Sequence, residues 1–410
     1  MSGSIFKQYR EKRNVIIKNK NILQTSYIPD QLPHRSKEID QIASVIAAAL
    51  NGDKPSNLMI FGKTGTGKTA VMNFIGNELK KEDAETDGCE FIYINCEVID
   101  THYGILYTIG NQKQVEFDDR IPYTGWSIEK VFSKMRNYID SQNKIFIIVL
   151  DEIDKLLIKS GDDVLYHLLI INEGLKNSKV SLVGISNKLS FIEMLDPRVR
   201  SRFGGENMVF EPYTSAQLED ILRERAKLAF DEGSIEDGVI AYCAALSARE
   251  TGDARRALDF LRVATDIAER NGDSVVAEAH VKFAKNKIEM DIIIEAIKTL
   301  TIQSKTVLMS IIKNTEDGIS TMTTGDVYST YSSISEVLGT SILTQRRVTD
   351  LISELDMLGI IHAHVRSFGR AGRTKEIELS APKEAIDVLK DDEFMKPLKK
   401  YKPPKQTTLM

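Results

Sequence analysis

The stretch Gly62-Lys63-Thr64-Gly65-Thr66-Gly67-Lys68-Thr69 decides the fold of this chain, because it fills every position of the G-x-x-x-x-G-K-[S/T] phosphate-binding pattern. The apolar run at residues 57–61 before it predicts a buried strand, and residues 70–80 after it predict a helix. In that context the glycines let successive backbone N–H groups face a phosphate, and the amino end of the helix faces the same anion. The stretch therefore predicts a nucleotide-binding α/β domain.

The residues of the phosphate loop are predicted to have different roles. Lys68 is predicted to neutralise the β- and γ-phosphates, and the Thr69 hydroxyl is predicted to ligate Mg²⁺. The predicted nucleotide-binding residues of the loop are Gly62, Lys63, Thr64, Gly65, Thr66, Gly67, Lys68, Thr69 and Ala70.

Composition is that of an ordinary globular protein. The 410 residues are 42% hydrophobic and 28% charged, which suits about two or three packed domains. The net charge of −5 excludes a global basic field, so a nucleic-acid contact requires local basic patches. The three cysteines lack metal-ligand spacing and indicate reduced thiols. With no long apolar run and no signal peptide, the sequence predicts a cytoplasmic protein without a membrane contact.

Strand and helix patterns divide the rest of the chain. Short apolar runs that alternate with helices predict parallel strands at residues 58–61, 91–95, 145–151, 181–186 and 207–210. After them, helical patterns replace strand patterns, at residues 215–230, 238–251, 254–271 and 274–290. The last part predicts a winged helix-turn-helix, with helices at 304–313, 325–338 and 344–358 and strands at 359–365 and 374–379.

Polar residues follow two of the predicted strands. Asp151 is predicted to hold Mg²⁺, and Glu152 to orient and activate the attacking water. Asn187 follows the next strand, and it faces the γ-phosphate if that strand lies between those of the loop and of the acid pair. Taken alone, the acid pair also suits a helix cap and the asparagine a turn.

Two arginine clusters leave alternatives open. One of Arg198, Arg200 and Arg202 reaches a neighbouring subunit's γ-phosphate as an arginine finger, or all three form a solvated basic face. Arg255 or Arg256, at the start of a helix, projects toward the nucleotide, pairs with an acid or lies on the surface. Sequence spacing does not choose among these alternatives.

The order of these motifs resembles that of AAA+ ATPases. It comprises the phosphate loop, Asp151-Glu152-Ile153-Asp154, Asn187, Ser201-Arg202-Phe203 and Gly252-Asp253-Ala254-Arg255. With Tyr27-Ile28-Pro29-Asp30-Gln31-Leu32-Pro33-His34-Arg35 and the winged-helix pattern, the chain resembles the archaeal origin-recognition initiators from about residue 21 to residue 389. These are relatives of the eukaryotic origin recognition complex subunits and the cell-division-cycle loader. The resemblance implies an α/β AAA+ base domain, an all-α lid domain and a C-terminal winged-helix domain.

The resemblance also implies roles for single residues. Asn187 matches sensor one, Arg255 matches the sensor-two arginine, and Arg202 matches the arginine finger. Residues 27–35 match the segment that covers the adenine base, and residues 122–130 match an insertion whose short helix touches DNA in this family. The further nucleotide-binding residues are Tyr27, Ile28, Arg35, Tyr213 and Arg225.

A basic loop in the last part predicts contact with DNA. Between Asp356 and Glu376 the chain contains no acid, and the family's wing binds the minor groove with a loop of this kind. A winged helix used only for protein contacts is the alternative. The predicted DNA-binding residues are Trp126, Thr344, Gln345, Arg346, Arg347, Arg366, Arg370 and Arg373.

The predicted organisation follows from these patterns. It comprises a basic arm (1–21), an AAA+ domain (22–213), a lid (214–300), a winged helix (301–390) and a Lys- and Pro-rich tail (391–410) that is disordered from residue 396.

The resemblance implies an ATP-dependent replication initiator, located in the cytoplasm at the nucleoid. It would bind ATP or ADP with Mg²⁺, hydrolyse ATP slowly as a switch, bind origin duplex DNA, and recruit the replicative helicase, with other initiator copies as further partners. One alternative is a clamp-loader-like AAA+ remodeller, which normally lacks a winged helix with a basic hairpin. The other is a transcriptional regulator that uses ATP only as a ligand, against which the intact Asp151, Glu152 and Asn187 speak.

Overall fold

The structure, a computed structural model, describes residues 16–25, 27, 29–112, 120–367 and 373–401. They form two compact units that divide between Val281 and Lys282. Ile28 and Arg370, both predicted site residues, lie outside the described residues, as does the side chain of Arg373. The predicted domain limits at 213/214 and 300/301 stay predictions.

A five-stranded parallel sheet forms the centre of the first unit. Its strands are β1 (Leu58–Gly62), β2 (Cys89–Asn95), β3 (Ile145–Asp151), β4 (Lys179–Ser186) and β5 (Glu206–Phe210). Their spatial order is β2-β3-β4-β1-β5, with every pair parallel. The predicted α/β sheet is therefore confirmed, and β4 lies between the strand of the phosphate loop and the strand of the acid pair.

Helices cover both faces of this sheet, because successive strand residues point to opposite sides. Leu58 and Ile60 join one apolar core with Ile75, while Met59 and Phe61 join a second core with Met135. The helices are α1 (Ser36–Ile46), α2 (Lys68–Glu82), α3 (His102–Gly110), α4 (Ile128–Ser141), α5 (Ile153–Ser160), α6 (Asp163–Ile170), α7 (Phe191–Met194) and α8 (Pro197–Phe203). Helices α3 to α8 were not predicted as separate elements.

The lid consists of helices, as predicted. They are α9 (Ser215–Ala229), α10 (Val239–Glu250), α11 (Ala254–Asn271) and α12 (Glu278–Thr299), the last of which continues into the second unit. A capping box of Thr214 and Gln217 starts α9, and the Asp253 carboxylate caps α11 by accepting from the N–H groups of Arg255 and Arg256. The helix predicted at residues 274–290 starts later, at Glu278, and it continues to Thr299 because no glycine or proline interrupts the chain up to that point. No helix in the described part of the chain has the length and apolarity needed to cross a membrane.

The second unit is a winged helix, which confirms the predicted fold class. Its helices after α12 are α13 (Ile302–Glu316), α14 (Thr324–Leu338), α15 (Gln345–Met357) and α16 (Lys383–Asp391). An antiparallel sheet with the order β6-β8-β7 joins β6 (Thr321–Thr323), β7 (Ile361–Ser367) and β8 (Arg373–Leu379). The predicted hairpin is β7 and β8, while β6 and α16 were not predicted.

The start of the predicted tail is packed, and the prediction of disorder is wrong for residues 396–401. Lys396–Lys400 form a 3-10 helix. Met395 and Leu398 lie at 0% and 1% exposure in the core of the winged helix, and Tyr401 packs against that core. The high lysine content concealed these apolar side chains, which are spaced three residues apart and therefore share one face of a tight helix.

We expect Leu398→Ala to lower the free energy of unfolding of the second unit by about 3 kcal/mol, because truncating a buried leucine removes contacts and leaves a cavity. Denaturation of the full chain, followed by hydrogen exchange across α13, measures the change. The matched control is Lys396→Ala, whose exposed side chain lies 3.8 Å from Glu393 and whose effect should stay within about 0.5 kcal/mol. An equally small effect of Leu398→Ala would show that this segment is a loose tail after all.

Candidate nucleotide site and nucleic-acid interface

One cleft of about 520 Å³ in the first unit brings most of the predicted nucleotide residues together. Residues 64–70 of the phosphate loop line it, and the other predicted residues on its wall are Tyr27, Asp151, Glu152, Asn187, Tyr213, Arg225 and Arg255. The size falls within the range of small-molecule sites, and the wall combines apolar and charged groups.

Two glycines of the phosphate loop adopt a conformation that side chains rarely allow. Gly65 has a φ of +74° and Gly67 a φ of +93°. A Cβ on Gly67 would lie 2.6 Å from the Tyr213 hydroxyl, and a Cβ on Gly65 would overlap the Asp253 carboxylate. The Ala254 N–H donates to the Gly65 carbonyl at 3.1 Å. The lid helix α11 therefore begins in direct contact with the loop.

The Lys68 ammonium is held at the floor of the cleft. It donates to the carbonyl oxygens of Gly62 and Lys63 at 2.7 and 2.9 Å, and to Asn187 Oδ1 at 2.8 Å. Burial lowers the pKa of Lys68, and the carboxylate charges of the acid pair partly offset that effect. Lys68 is thus anchored by the loop's own backbone.

The Asp151 carboxylate accepts three hydrogen bonds, and the residue is only 4% exposed. Its Oδ2 atom accepts from Thr69 Oγ1 and from Tyr93 Oη, each at 2.6 Å. Its Oδ1 atom accepts from the Glu152 backbone N–H at 2.9 Å. Tyr93 was not singled out in the sequence, and its place in this network comes only from the structure.

The oxygen atoms of Thr69 and Asp151 suit Mg²⁺, which prefers hard oxygen ligands. Mg²⁺ is usually held by one or two carboxylates together with substrate phosphates rather than by an all-protein cage. In keeping with this, no cluster of three or more His, Cys, Asp or Glu side chains in the described ranges could hold a metal ion. The residues present therefore fit a magnesium ion that a nucleotide completes.

Glu152 and Asn187 are hydrogen-bonded to each other next to Lys68. Asn187 Nδ2 donates to Glu152 Oε2 at 2.6 Å, while its Oδ1 accepts from Lys68. The position of β4 between β1 and β3 creates this bridge. Glu152 has a φ of +56°, a conformation that costs free energy in a residue with a side chain and often occurs at functional sites.

Only the first arginine of α11 reaches the cleft. Arg255 lies on its wall. Arg256 instead pairs with Glu250 at 3.1 Å and stacks on Phe260 with 5.1 Å to the ring centroid. The structure therefore places Arg255 rather than Arg256 at the cleft, a choice that sequence spacing left open.

Tyr27 and Arg225 contact each other on the wall of the cleft. The Arg225 guanidinium lies 4.5 Å from the centroid of the Tyr27 ring. It also donates to the carbonyl oxygens of Ile22 and Tyr27, at 3.2 Å each. The lid helix α9 is therefore tied to the N-terminal segment by a stacked and hydrogen-bonded arginine.

Arg35 lies behind the phosphate loop rather than on the cleft wall, although a nucleotide contact was predicted. Its side chain is 5% exposed. It donates to Thr66 O and Tyr213 Oη at 3.0 Å, to Glu211 O at 2.7 Å and to Glu38 at 2.6 Å. The contacts indicate that Arg35 supports the loop from beneath.

Residues 16–21 of the predicted basic arm pack on the lid. Ile16 and Ile17 are buried. The Ile16 N–H donates to the buried Glu269 at 3.2 Å, and Lys20 contacts Asp266 and Glu269 at 2.6 and 2.8 Å. The only sequence signal was the short apolar run Val15-Ile16-Ile17 within a polar segment.

The arginines of α8 lie away from the wall of the cleft. Arg198 pairs with Asp196 at 3.0 Å, Arg200 donates to Glu193 O at 3.1 Å, and Arg202 pairs with Glu173 at 2.5 Å.

Trp126 lies in the region predicted as a DNA-contacting insertion. Residues 122–127 are not helical, and α4 begins at Ile128. Trp126 is half-buried, with Lys130 Nζ 3.9 Å from its ring centroid, whereas Tyr123 is 80% exposed. The segment presents an aromatic and cationic surface.

The predicted DNA residues of the winged helix are exposed where they are described. Thr344 caps α15 by accepting from the Arg347 N–H at 3.4 Å, so Gln345, Arg346 and Arg347 form the exposed first turn. Arg366 on β7 is exposed and pairs with Glu376 on β8.

Comparisons with known proteins agree across the chain. Three family models match: "ATPase family associated with various cellular activities (AAA)" at residues 58–209, "Cdc6 AAA+ ATPase-type lid domain" at 219–286, and "CDC6, C terminal winged helix domain" at 295–388. The ORC1-type DNA replication protein of Thermococcus kodakarensis is 51% identical over 398 residues, which cover 97% of this chain and 96% of that protein. This chain belongs to the Cdc6/ORC1-type family of DNA replication proteins.

Further relatives of the Cdc6/ORC1-type family support the same assignment. ORC1-type DNA replication protein 1 of Methanosarcina mazei is 50% identical, covering 94% of this chain and 93% of that protein. The Aeropyrum pernix ORC1 protein, whose structure was solved in complex with DNA, is similar with a TM-score of 0.80 and 43% identity, covering 93% of this chain and 99% of that one. AAA ATPases as a family bind nucleotide with Mg²⁺, in keeping with the groups around the cleft.

We expect Arg35→Ala to destabilise the nucleotide-free protein by about 3 kcal/mol, because it leaves the buried acceptors of Arg35 without a donor. Urea denaturation without nucleotide measures this change. Arg223→Ala is the matched control, since Arg223 is exposed and pairs with Glu219 within α9. If Arg35→Ala weakened nucleotide binding but left stability unchanged, Arg35 would be a ligand contact rather than a support.

Proposed function

We propose that this protein is an ATP-dependent replication initiator that binds origin duplex DNA and promotes recruitment of the replicative helicase. The observation that carries the proposal is the combination, in one Cdc6/ORC1-type chain, of a complete nucleotide cleft and a winged helix with an exposed Arg346 and Arg347. The DNA complex of the Aeropyrum pernix relative supports duplex DNA as the partner.

The cleft residues have distinct roles in binding and hydrolysing ATP. The loop N–H groups and Lys68 bind the phosphates, while Thr69 and Asp151 hold Mg²⁺. When bound, Mg²⁺ neutralises the charge that develops on the phosphate oxygens. Glu152 takes the proton of the attacking water, and Asn187 orients the same carboxylate through its 2.6 Å hydrogen bond.

The same hydrogen bonds support slow hydrolysis that acts as a switch. Asn187 is shared between Lys68 and Glu152, so a phosphate that binds Lys68 competes with an existing partner. Glu152 accepts from Asn187 through Oε2 and takes the proton of the water through its other carboxylate oxygen, Oε1. ATP binding and hydrolysis therefore rearrange one polar network, and the lid contact at Gly65 transmits the change to α11.

The arginines of α8 support an assembly with further initiator copies. One of Arg198, Arg200 and Arg202 would stabilise the charge on the γ-phosphate of a neighbouring subunit, since they lie away from their own cleft. The surface around Tyr123 and Trp126 and the first turn of α15 would both contact DNA.

We expect Glu152→Gln to reduce single-turnover ATP hydrolysis by about 100-fold while leaving ATP affinity within about three-fold of wild type. Glutamine keeps the shape and the neighbours of the side chain but cannot accept the proton. Glu85→Gln, at an exposed glutamate, is the matched control. Unchanged hydrolysis in Glu152→Gln would favour a regulator that uses ATP only as a ligand.

We expect Arg346→Ala/Arg347→Ala to abolish the enrichment of a recurrent motif from a random duplex library by the ATP-loaded protein. If both arginines contact phosphates, the slope of log affinity against log salt should also fall by about two. Arg223→Ala/Arg262→Ala is the matched control, since both arginines are partly exposed and paired with acids on the lid. Absence of any motif with the wild-type protein would instead favour a loader that partners bring to DNA.

A further inference from the structure

Tyr93 lies beside the metal-binding acid because of the register between two strands. On the outer strand β2, Tyr93 pairs with Val149 of β3. Asp151 lies two residues beyond Val149 and therefore on the same face of the sheet. A diagonal neighbour of this kind is within reach of a long aromatic side chain. The register thus aims the Tyr93 hydroxyl at the Asp151 carboxylate.

The contact is short and well defined. Tyr93 Oη donates to Asp151 Oδ2 at 2.6 Å, and the same oxygen accepts from Thr69 Oγ1 at 2.6 Å. The other carboxylate oxygen accepts the Glu152 N–H. Three donors, from α2, from β2 and from the residue after β3, therefore fix both oxygens of one side chain. A phenol carries its proton at neutral pH, so the Tyr93 hydroxyl is available as a donor to the carboxylate.

We propose that Tyr93 is a positioning residue for Mg²⁺, which acts by orienting the Asp151 carboxylate without touching the metal or the nucleotide. The inference rests on the proposed function, since it concerns the magnesium site of the same ATP cleft. Hydrogen-bond partners of metal ligands commonly set metal affinity, because they fix the orientation of the ligand. Tyr93 supplies this support from the sheet, whereas Thr69 supplies it from α2.

A purely structural role would depend on the ring rather than on the hydroxyl. Tyr93 is half-buried and packs against the core between the sheet and α2. Tyr93→Phe keeps the ring and removes only the donor. Tyr93→Leu removes the ring as well as the donor. A positioning role predicts that both variants lose Mn²⁺ affinity, whereas a purely structural role predicts a loss only in Tyr93→Leu.

The test measures metal binding directly in the full-length protein. Mn²⁺ stands in for Mg²⁺, and its binding to the ADP-loaded protein is titrated by electron paramagnetic resonance. A fluorescent ADP analogue is titrated in parallel with excess chelator, to obtain nucleotide affinity without metal. Tyr103→Phe is the matched control, because its hydroxyl also makes a 2.6 Å hydrogen bond, to Pro122 O outside the cleft.

We expect Tyr93→Phe to weaken Mn²⁺ binding by about ten-fold, with metal-free nucleotide affinity unchanged. Tyr93→Leu should lose at least as much Mn²⁺ affinity, and Tyr103→Phe should match wild type. Wild-type Mn²⁺ affinity in Tyr93→Phe would overturn the inference. So would an equal loss of metal-free nucleotide binding in Tyr93→Phe. Failure of the wild-type protein to bind the ADP analogue would instead overturn the proposed nucleotide function itself.

Discussion

The side-by-side pairing of β3, β4 and β1 is the constraint on which the rest of the structure depends. Parallel strands all end at the same edge, so this order brings the acid pair, Asn187 and the phosphate loop to one place. Hydrogen bonds of 2.6 to 2.8 Å then connect Glu152, Asn187 and Lys68 in a row. A different strand order would separate these groups even if every strand formed correctly.

The lid completes the cleft through backbone contacts as well as side chains. The Ala254 N–H donates to Gly65 O, and Tyr213 N–H donates to Gly252 O. These contacts require close approach, since a Cβ on Gly252 would lie 2.6 Å from Tyr213 O. The glycine before the capping Asp253 is therefore a packing requirement, and movement of α11 must disturb the phosphate loop.

Much of this architecture could be predicted from the sequence, because its signals are local. The phosphate loop, the buried strands and the acid pair each occupy a few adjacent residues. The sequence did not predict where β4 lies in the sheet, because strand order depends on pairing between residues that are far apart in the chain. Arg35 and Tyr93 illustrate what local patterns miss: one supports the loop from behind, and the other meets Asp151 through strand register.

Residues near the chain ends were the hardest to predict from composition. Residues 396–405 contain five lysines, and the first 20 residues contain four lysines and two arginines; basic segments of this kind usually stay in solvent. Ile16, Ile17 and Leu398 are nevertheless buried. A few apolar side chains with a preformed surface to receive them outweigh the average polarity of a segment.

The packing of Ile16 to Leu23 on the lid has a mechanical consequence. The lid is joined to the sheet domain once by the covalent connection before α9, and a second time by the N-terminal chain that runs from the lid helices to Arg35. A lid attached at two points has fewer accessible orientations than a lid attached at one point. Less conformational entropy is therefore lost when the lid closes on a ligand.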